Sequence, residues 1–242
     1  MSPGVTPSCL TRDRNASLAT RRYANLDDMP VPTMTVQQIR DAEALAMQAV
    51  PEAELMARAA DAVAAECEMI LAQDPGRLLG ARVAVLVGSG HNGGDALLAA
   101  ARLRHRGADV TALLVAGGVH MASLSEARAA GVAVADAVAD PGAATDAVAA
   151  AHLVIDGIVG IGSAPGLRPP ADALVAAIDS ETPVVSVDIP SGLDADSGAA
   201  DALHVRATAT VTFTAPKACL AEEPARASAG RVIVADVGIV RA

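Results

Sequence analysis

The sequence predicts an α/β fold, a three-layer α/β/α sandwich around a mostly parallel sheet. Short apolar runs rich in Val, Leu and Ile alternate with helical patterns, and most of them end at Gly or Asp. The chain of 242 residues is 52% hydrophobic, yet it has one Phe, one Tyr and no Trp. Its core must therefore be built from closely packed Ala, Val, Leu and Ile.

Each element has a local reason. Thr35-Val36-Gln37-Gln38 has the spacing of a capping box and opens a helix to about residue 49. Pro51 stands where a second helix begins, running to about Gln73. A buried strand over 82–88 and a helix over 93–106 follow, then a strand over 109–115 and a helix over 122–130. Strand 131–135, helix 142–150 and strand 152–156 precede a Gly/Pro-rich loop at 157–170 and a helix at 170–179. Strands at 183–188, 206–213 and 231–235 complete the sheet. With no repeat and no internal linker, residues 34–242 read as one domain. Residues 1–33 carry Arg12, Arg14, Arg21 and Arg22 among Ser, Thr and Pro without the apolar region of a secretory signal, and read as a disordered extension, with a transit peptide or a start placed upstream of Met29 or Met34 as the alternatives.

A net charge of −10 argues against nucleic-acid binding, which needs clustered cations. Cys9, Cys67 and Cys219 show no metal or disulfide spacing, so a reducing, cytoplasmic setting is expected. No run reaches the ~20 apolar residues of a membrane span.

Ligands of such sheets bind beyond the carboxyl ends of the strands, so the residues there carry the chemistry. After the first long strand comes Gly88-Ser89-Gly90-His91-Asn92-Gly93, a dinucleotide-type glycine spacing. A nicotinamide dinucleotide held in the usual way needs an acid ~20 residues on, at the end of the next strand. That strand ends Val115-Ala116-Gly117-Gly118 instead, with neither that acid nor the Arg of an NADP site. Asn92 and Asp95 place an amide and a carboxylate at the helix start, although Asp95 alone would also suit the helix dipole. Asp156 ends another strand, before a loop with Gly157, Gly160, Gly162 and Gly166, which reads either as a site or as a loose connection. Asp188 ends a Val-rich strand before Pro190-Ser191-Gly192, as an acid–base group or a turn cap. Lys217 is the only lysine in the chain and Asn92 the only Asn after residue 25, so a function that demands these side chains competes with chance retention. Asn92, Asp156 and Ser191 offer hard oxygen ligands suited to an alkali or alkaline-earth ion rather than zinc.

These segments together resemble the NAD(P)H-hydrate epimerases, the N-terminal module of the nicotinamide-nucleotide-hydrate repair proteins, from about Met34 to Val240. The carrying stretches are TVQQIRDAEALAM, LMARAADAVA, GSGHNGGDALLAAARL, VIDGIVGIGSAPGLRPP, VDIPSGLDADSG and TVTFTAPKACL. The resemblance implies a Rossmann-like fold, a homodimer, and epimerisation at C6 of hydrated NADH or NADPH (NADHX, NADPHX). It converts the R form to the S form used by an ADP- or ATP-dependent dehydratase, with no net redox, as the missing ribose-binding acid suggests. Carried over by position, Asn92, Asp156 and Ser191 ligate a potassium ion. Residues His91, Asn92, Gly93, Gly94 and Asp95, together with Gly160, Ile161, Gly162, Ser163, Ala164, Pro165, Gly166 and Asp188, contact the substrate. Asp188 is then the general acid/base and Lys217 supplies positive charge or a proton nearby. Two departures stand out: His91 replaces the usual first Asn, which would make substrate contact sensitive to pH near neutrality, and Ala96 replaces a common Gly. The dehydratase is expected as a separate protein or as the other half of a fused one. A non-catalytic nucleotide- or protein-binding module and an NAD-dependent oxidoreductase are the competing readings.

Overall fold

The computed structural model describes residues 20–23, 32–74, 77–162, 165–200 and 203–239. In chain order the elements are β1 (Thr20–Tyr23), α1 (Val36–Ala46), α2 (Glu52–Leu71), β2 (Arg82–Val87), α3 (Gly90–His105), β3 (Asp109–Leu114), α4 (Met121–Ala129) and β4 (Ala133–Asp136). There follow α5 (Pro141–Ala149), β5 (Leu153–Gly157), α6 (Ala171–Ala176), β6 (Val184–Val187), β7 (Ala209–Phe213), a 3₁₀ turn (Ala218–Ala221), α7 (Ala225–Ser228) and β8 (Arg231–Ala235). The strands form one sheet in the order β1-β8-β7-β6-β5-β2-β3-β4. All neighbours are parallel except β1, which runs antiparallel to β8. The mostly parallel three-layer sandwich is thus as expected. One element departs from it: Thr20–Tyr23 supply an edge strand that pairs the open side of β8, inside a stretch read as an unstructured extension. The rest of residues 1–31 lies outside the described residues.

Strand order reverses between β2 and β5, so the sheet has its switch point there and a crevice opens at their carboxyl ends. The strand period of two divides the core. Val83, Val85 and Val87 of β2 face one cluster with α2 and α3, while Ala84 and Leu86 face a second with α5 and α6. Thr35 caps α1 as expected: its Oγ1 accepts from Gln38 N at 3.3 Å, and Gln38 Oε1 accepts from Thr35 N at 2.9 Å. Cys67 and Cys219 are free and buried. No helix among the described residues is long and apolar enough to cross a membrane.

The small-residue core lets α3 approach the sheet at backbone distance. A Cβ at Gly88 would lie 1.8 Å from the Ile158 carbonyl oxygen, one at Gly93 2.3 Å from the Gly88 oxygen, and one at Gly157 2.4 Å from the Ala96 Cβ. Two of the three fingerprint glycines, Gly88 and Gly93, are therefore used by packing, Gly90 takes a φ of 73°, and α3 begins there, three residues earlier than the sequence pattern suggests. Gly88→Ala should cost about 1–3 kcal/mol or more through overpacking. Gly117, with nothing within 4 Å of a built Cβ, should tolerate alanine within about 0.5 kcal/mol. Thermal unfolding of the two variants measures the contrast.

Candidate active site

Strands β6 and β7 both end in the same unusual way. Asp188, just past β6, has φ 71° and Thr214, just past β7, has φ 69°. In each case the next residue's N–H reaches back two residues, Ile189 N to Val187 O at 3.0 Å and Ala215 N to Phe213 O at 2.7 Å. These are γ-turns of the rarer, strained hand. They turn the chain sharply at the sheet's carboxyl edge and set Asp188 and Lys217 against each other. Lys217 Nζ lies 2.5 Å from Asp188 Oδ1, with the two side chains 1% and 10% exposed. The ammonium also donates to Phe213 O at 2.9 Å, and Thr212 Oγ1 donates to Asp188 Oδ1 at 3.3 Å. The only lysine of the chain is a buried ion-pair partner.

Asp156 lies at the end of β5, in register with Ser186 of β6. Its Oδ2 accepts from Ser186 Oγ at 2.8 Å and Ser191 N at 2.9 Å, and its Oδ1 from Ser191 Oγ at 2.6 Å and Ile158 N at 3.3 Å. Burial pushes its carboxyl up, against the pull of those hydrogen bonds. Ser191 Oγ further accepts from Val159 N at 3.1 Å and lies 3.3 Å from Val159 O. Gly160 sits between the remaining groups: a Cβ there would be 3.2 Å from both Asn92 Oδ1 and Asp188 Oδ2. Asn92 Nδ2 is buried without a partner. The structure therefore brings Asn92, Asp156, Ser191, Asp188 and Lys217 to one edge of the sheet.

An open cleft of about 850 Å³ covers this edge, lined among others by Glu43, Asn92, Asp95, Gly160, Asp188 and Phe213. A more apolar recess beside it shares Glu43, His91, Asp95 and Phe213 and is walled by Met47, Leu55 and Met56. Asp95 is in the second turn of α3, so the helix-dipole reading does not describe it. It is buried, its Oδ1 has no partner, and burial, with Asp188, Glu43 and Glu52 adding, holds its carboxyl well above the usual range.

Other expected contacts divide. Gly160, Ile161 and Gly162 line the cleft, Pro165 and Gly166 line a neighbouring groove, and Ser163 and Ala164 lie outside the described residues. Gly93 and Gly94 face packing instead, Gly94 toward the Met56 Cε and His120. His91 is exposed at the cleft margin, its Nε2 2.6 Å from Glu52 Oε1 and its ring 6.0 Å from that of His120. Glu43 is the residue that sequence reasoning missed. Helix α1 carries it to the site because Met34 joins the Lys217 segment, with Met34 N donating to Pro216 O at 2.9 Å and Ala218 N to Met34 O at 2.9 Å. Burial pushes the Glu43 carboxyl up, Lys217 pulls it down and Asp188 pushes it up again.

The donor set fits potassium. Asn92 Oδ1 lies beside Gly160, Ser191 Oγ and the Val159 carbonyl lie side by side, and no thiolate or imidazole takes part. Asp156 already accepts four hydrogen bonds, so its contribution to a cation is chiefly negative charge.

A carboxyl held above its unfolded value binds its proton more tightly in the folded state, so its destabilising effect is full above the folded value and disappears as pH falls to the unfolded one. Asp95→Asn should accordingly unfold at a higher temperature than wild type at pH 8, with the gap closing toward pH 4. Thermal melts across that range check it.

Residues 52–219 match the family described as YjeF-related protein N-terminus. The chain is 42% identical over 207 residues to the bifunctional NAD(P)H-hydrate repair enzyme Nnr of Mycobacterium tuberculosis, which covers 85% of this chain but 41% of that protein. It is 42% identical over 211 residues to the NAD(P)H-hydrate epimerase of Clavibacter michiganensis, covering 83% of this chain and 88% of that one. The crystal structure of yeast ynu0 (YNL200c) superposes with a TM-score of 0.69 over 78% of this chain and 83% of its own, at 24% identity, which establishes a common fold. This chain therefore spans less than half the length of the bifunctional relatives and most of the shorter one, and it belongs to the YjeF-related N-terminal family, that of the NAD(P)H-hydrate epimerases.

Proposed function

We infer that this protein is an isomerase that epimerises hydrated NADH or NADPH at C6 of the nicotinamide ring, interconverting the R and S forms as a step of metabolite repair. The observation that carries the reading is the buried Asp188–Lys217 pair on the cleft at the switch point, in a chain of the epimerase family.

Inverting C6 requires the C6–O bond to break and re-form on the other face. The ring nitrogen's lone pair expels the hydroxyl as water once a proton reaches the oxygen, leaving a C6=N bond. Water then adds to the opposite face and gives up one proton. One water leaves, one adds, and no hydride moves. Asp188 delivers and takes back that proton, its Oδ2 beside Gly160 and its Oδ1 held by Lys217. Lys217, 1% exposed, fixes the carboxylate's orientation and keeps a positive charge against it. Asp95 lines the same cleft with a buried carboxyl whose ionised form is disfavoured by burial and by the neighbouring Asp188.

Asn92 and Ser191, with the charge of Asp156, would hold a potassium ion, which supplies fixed positive charge to orient the 158–162 loop and substrate phosphate. The S product suits a dehydratase specific for that form, and the fused architecture of the bifunctional relatives supports such a partner.

Conversion of R-NADPHX to the S form, followed with an S-specific dehydratase at slightly alkaline pH, tests the reading. Folded Asp188→Asn should lose ~10²–10⁴-fold in kcat/KM, the range of positioned acid–base catalysis. No acceleration over the spontaneous exchange by wild type in potassium buffer overturns it. Replacing potassium with tetramethylammonium should lower the rate, and Ser191→Ala should abolish the difference between the two buffers. A wild-type rate indifferent to the cation removes the ion.

A further inference from the structure

A second groove, enclosing about 1330 Å³ of open space, lies on the other side of the switch point. It shares Ser89, Val159 and Gly162 with the acid-lined cleft, so the two make one trough across the start of α3. The halves differ in chemistry. The cleft holds Glu43, Asp95 and Asp188. The groove is lined by backbone and by side chains such as Val115, Ala116, Ile158 and Leu167, and Arg168 is the only charged residue among its described lining.

The backbone of Arg168 is held on both sides. Gly166 N donates to Gly192 O at 2.9 Å, Leu167 packs on the second core cluster, and Ala171 N donates to Arg168 O at 2.9 Å. Its side chain is exposed and makes no ion pair with a described residue.

Held across the switch point as in other doubly wound sheets, a dinucleotide whose hydrated ring meets Asp188 would run its pyrophosphate past the start of α3 and bring its adenosine ribose to the end of β3. A site for the unphosphorylated ribose keeps an acid there to accept from the hydroxyls. Here β3 leads into Val115 and Ala116, and no carboxylate is found among the described residues lining the groove. We propose that Arg168 recognises the 2′-phosphate of the adenosine ribose, which makes hydrated NADPH the preferred substrate over hydrated NADH. The planar guanidinium matches a phosphate at two points, and a 2′-phosphate brings about two negative charges where the plain ribose brings none. The inference rests on the reading of the neighbouring cleft as the site of the hydrated ring.

Two measurements test it separately from that reading. The first is the ratio of kcat/KM for R-NADPHX to that for R-NADHX, in wild type, Arg168→Ala and Arg168→Lys. Wild type should favour R-NADPHX by about tenfold or more, the ratio should fall toward one in Arg168→Ala, and Arg168→Lys should keep part of it. A ratio unmoved by Arg168→Ala, or a wild-type preference for R-NADHX, overturns the proposal. The second is calorimetric titration with adenosine 2′,5′-bisphosphate and with 5′-AMP. The bisphosphate should bind tighter to wild type, and the difference should vanish in Arg168→Ala. Equal binding of both by wild type overturns the proposal even if epimerisation is found. A bisphosphate preference that depends on Arg168, in a protein that turns over neither hydrate, upholds the 2′-phosphate contact alone and overturns the epimerase reading together with the substrate preference.

Discussion

The site depends on one steric constraint: the start of α3 rests on the ends of β2 and β5 at backbone contact. Gly88, Gly93 and Gly157 have no room for a Cβ against Ile158 O, Gly88 O and the Ala96 methyl. Because those contacts are that close, Asn92 and Asp95 project from the first two turns of α3 directly over the strand ends that carry Asp156 and Asp188. A helix displaced by one methyl group would lift the amide and the carboxylate away from the sheet edge. The same constraint explains a core of Ala, Val and Leu with almost no aromatics, since α2 and α3 can lie this near to each other and to the sheet only when small residues meet.

Above that platform the site is costly to hold. Two non-glycine residues with positive φ, one of them β-branched, each cost about 1–3 kcal/mol. An ion pair almost removed from water gains little net stability, although breaking it on one side leaves a buried charge. Asp95 and Glu43 add carboxyls whose ionised forms burial disfavours. None of these groups belongs to the apolar clusters that hold the sheet and its helices together. Strain and desolvation gathered at one edge are what a pre-organised acid–base site looks like when its groups must be in place before substrate arrives.

Much of this was legible in the chain because its signals are local. Strand ends, the capping box of Thr35 and the helix at Pro51 each depend on a few adjacent residues, and all appear close to where the pattern puts them. Asp188, Lys217, Asp156 and Ser191 were readable as residues following strands, since a parallel sheet gathers its carboxyl ends on one side. What could not be read depends on packing between distant segments. Glu43 sits in an ordinary amphipathic helix and reaches the cleft only through the pairing of Met34 with the Lys217 segment. Gly93 and Gly94 look like phosphate-cradling glycines, yet their hydrogens face Gly88 and Met56 because α3 starts earlier than the apolar period suggests. The pairing of β1 with β8 likewise has no signature in the residues Thr20–Tyr23 themselves.

The glycine fingerprint thus has a different meaning here from the one its spacing suggests. In a hydride-transferring domain its glycines serve the turn, the pyrophosphate and the helix packing, while an acid at the next strand end holds the ribose. In this chain the packing role is kept and intensified, the acid is missing, and carboxyls have moved to the other side of the switch point, around Asp188. A cleft with Glu43, Asp95 and Asp188 but only one buried ammonium, Lys217, suits a substrate that needs protons passed to and from oxygen. Hydride transfer on this fold also needs a carboxylate for the ribose at the end of the next strand, and none is found among the described residues lining the groove there. The same fold carries either chemistry, and the distribution of acids about the switch point separates the two.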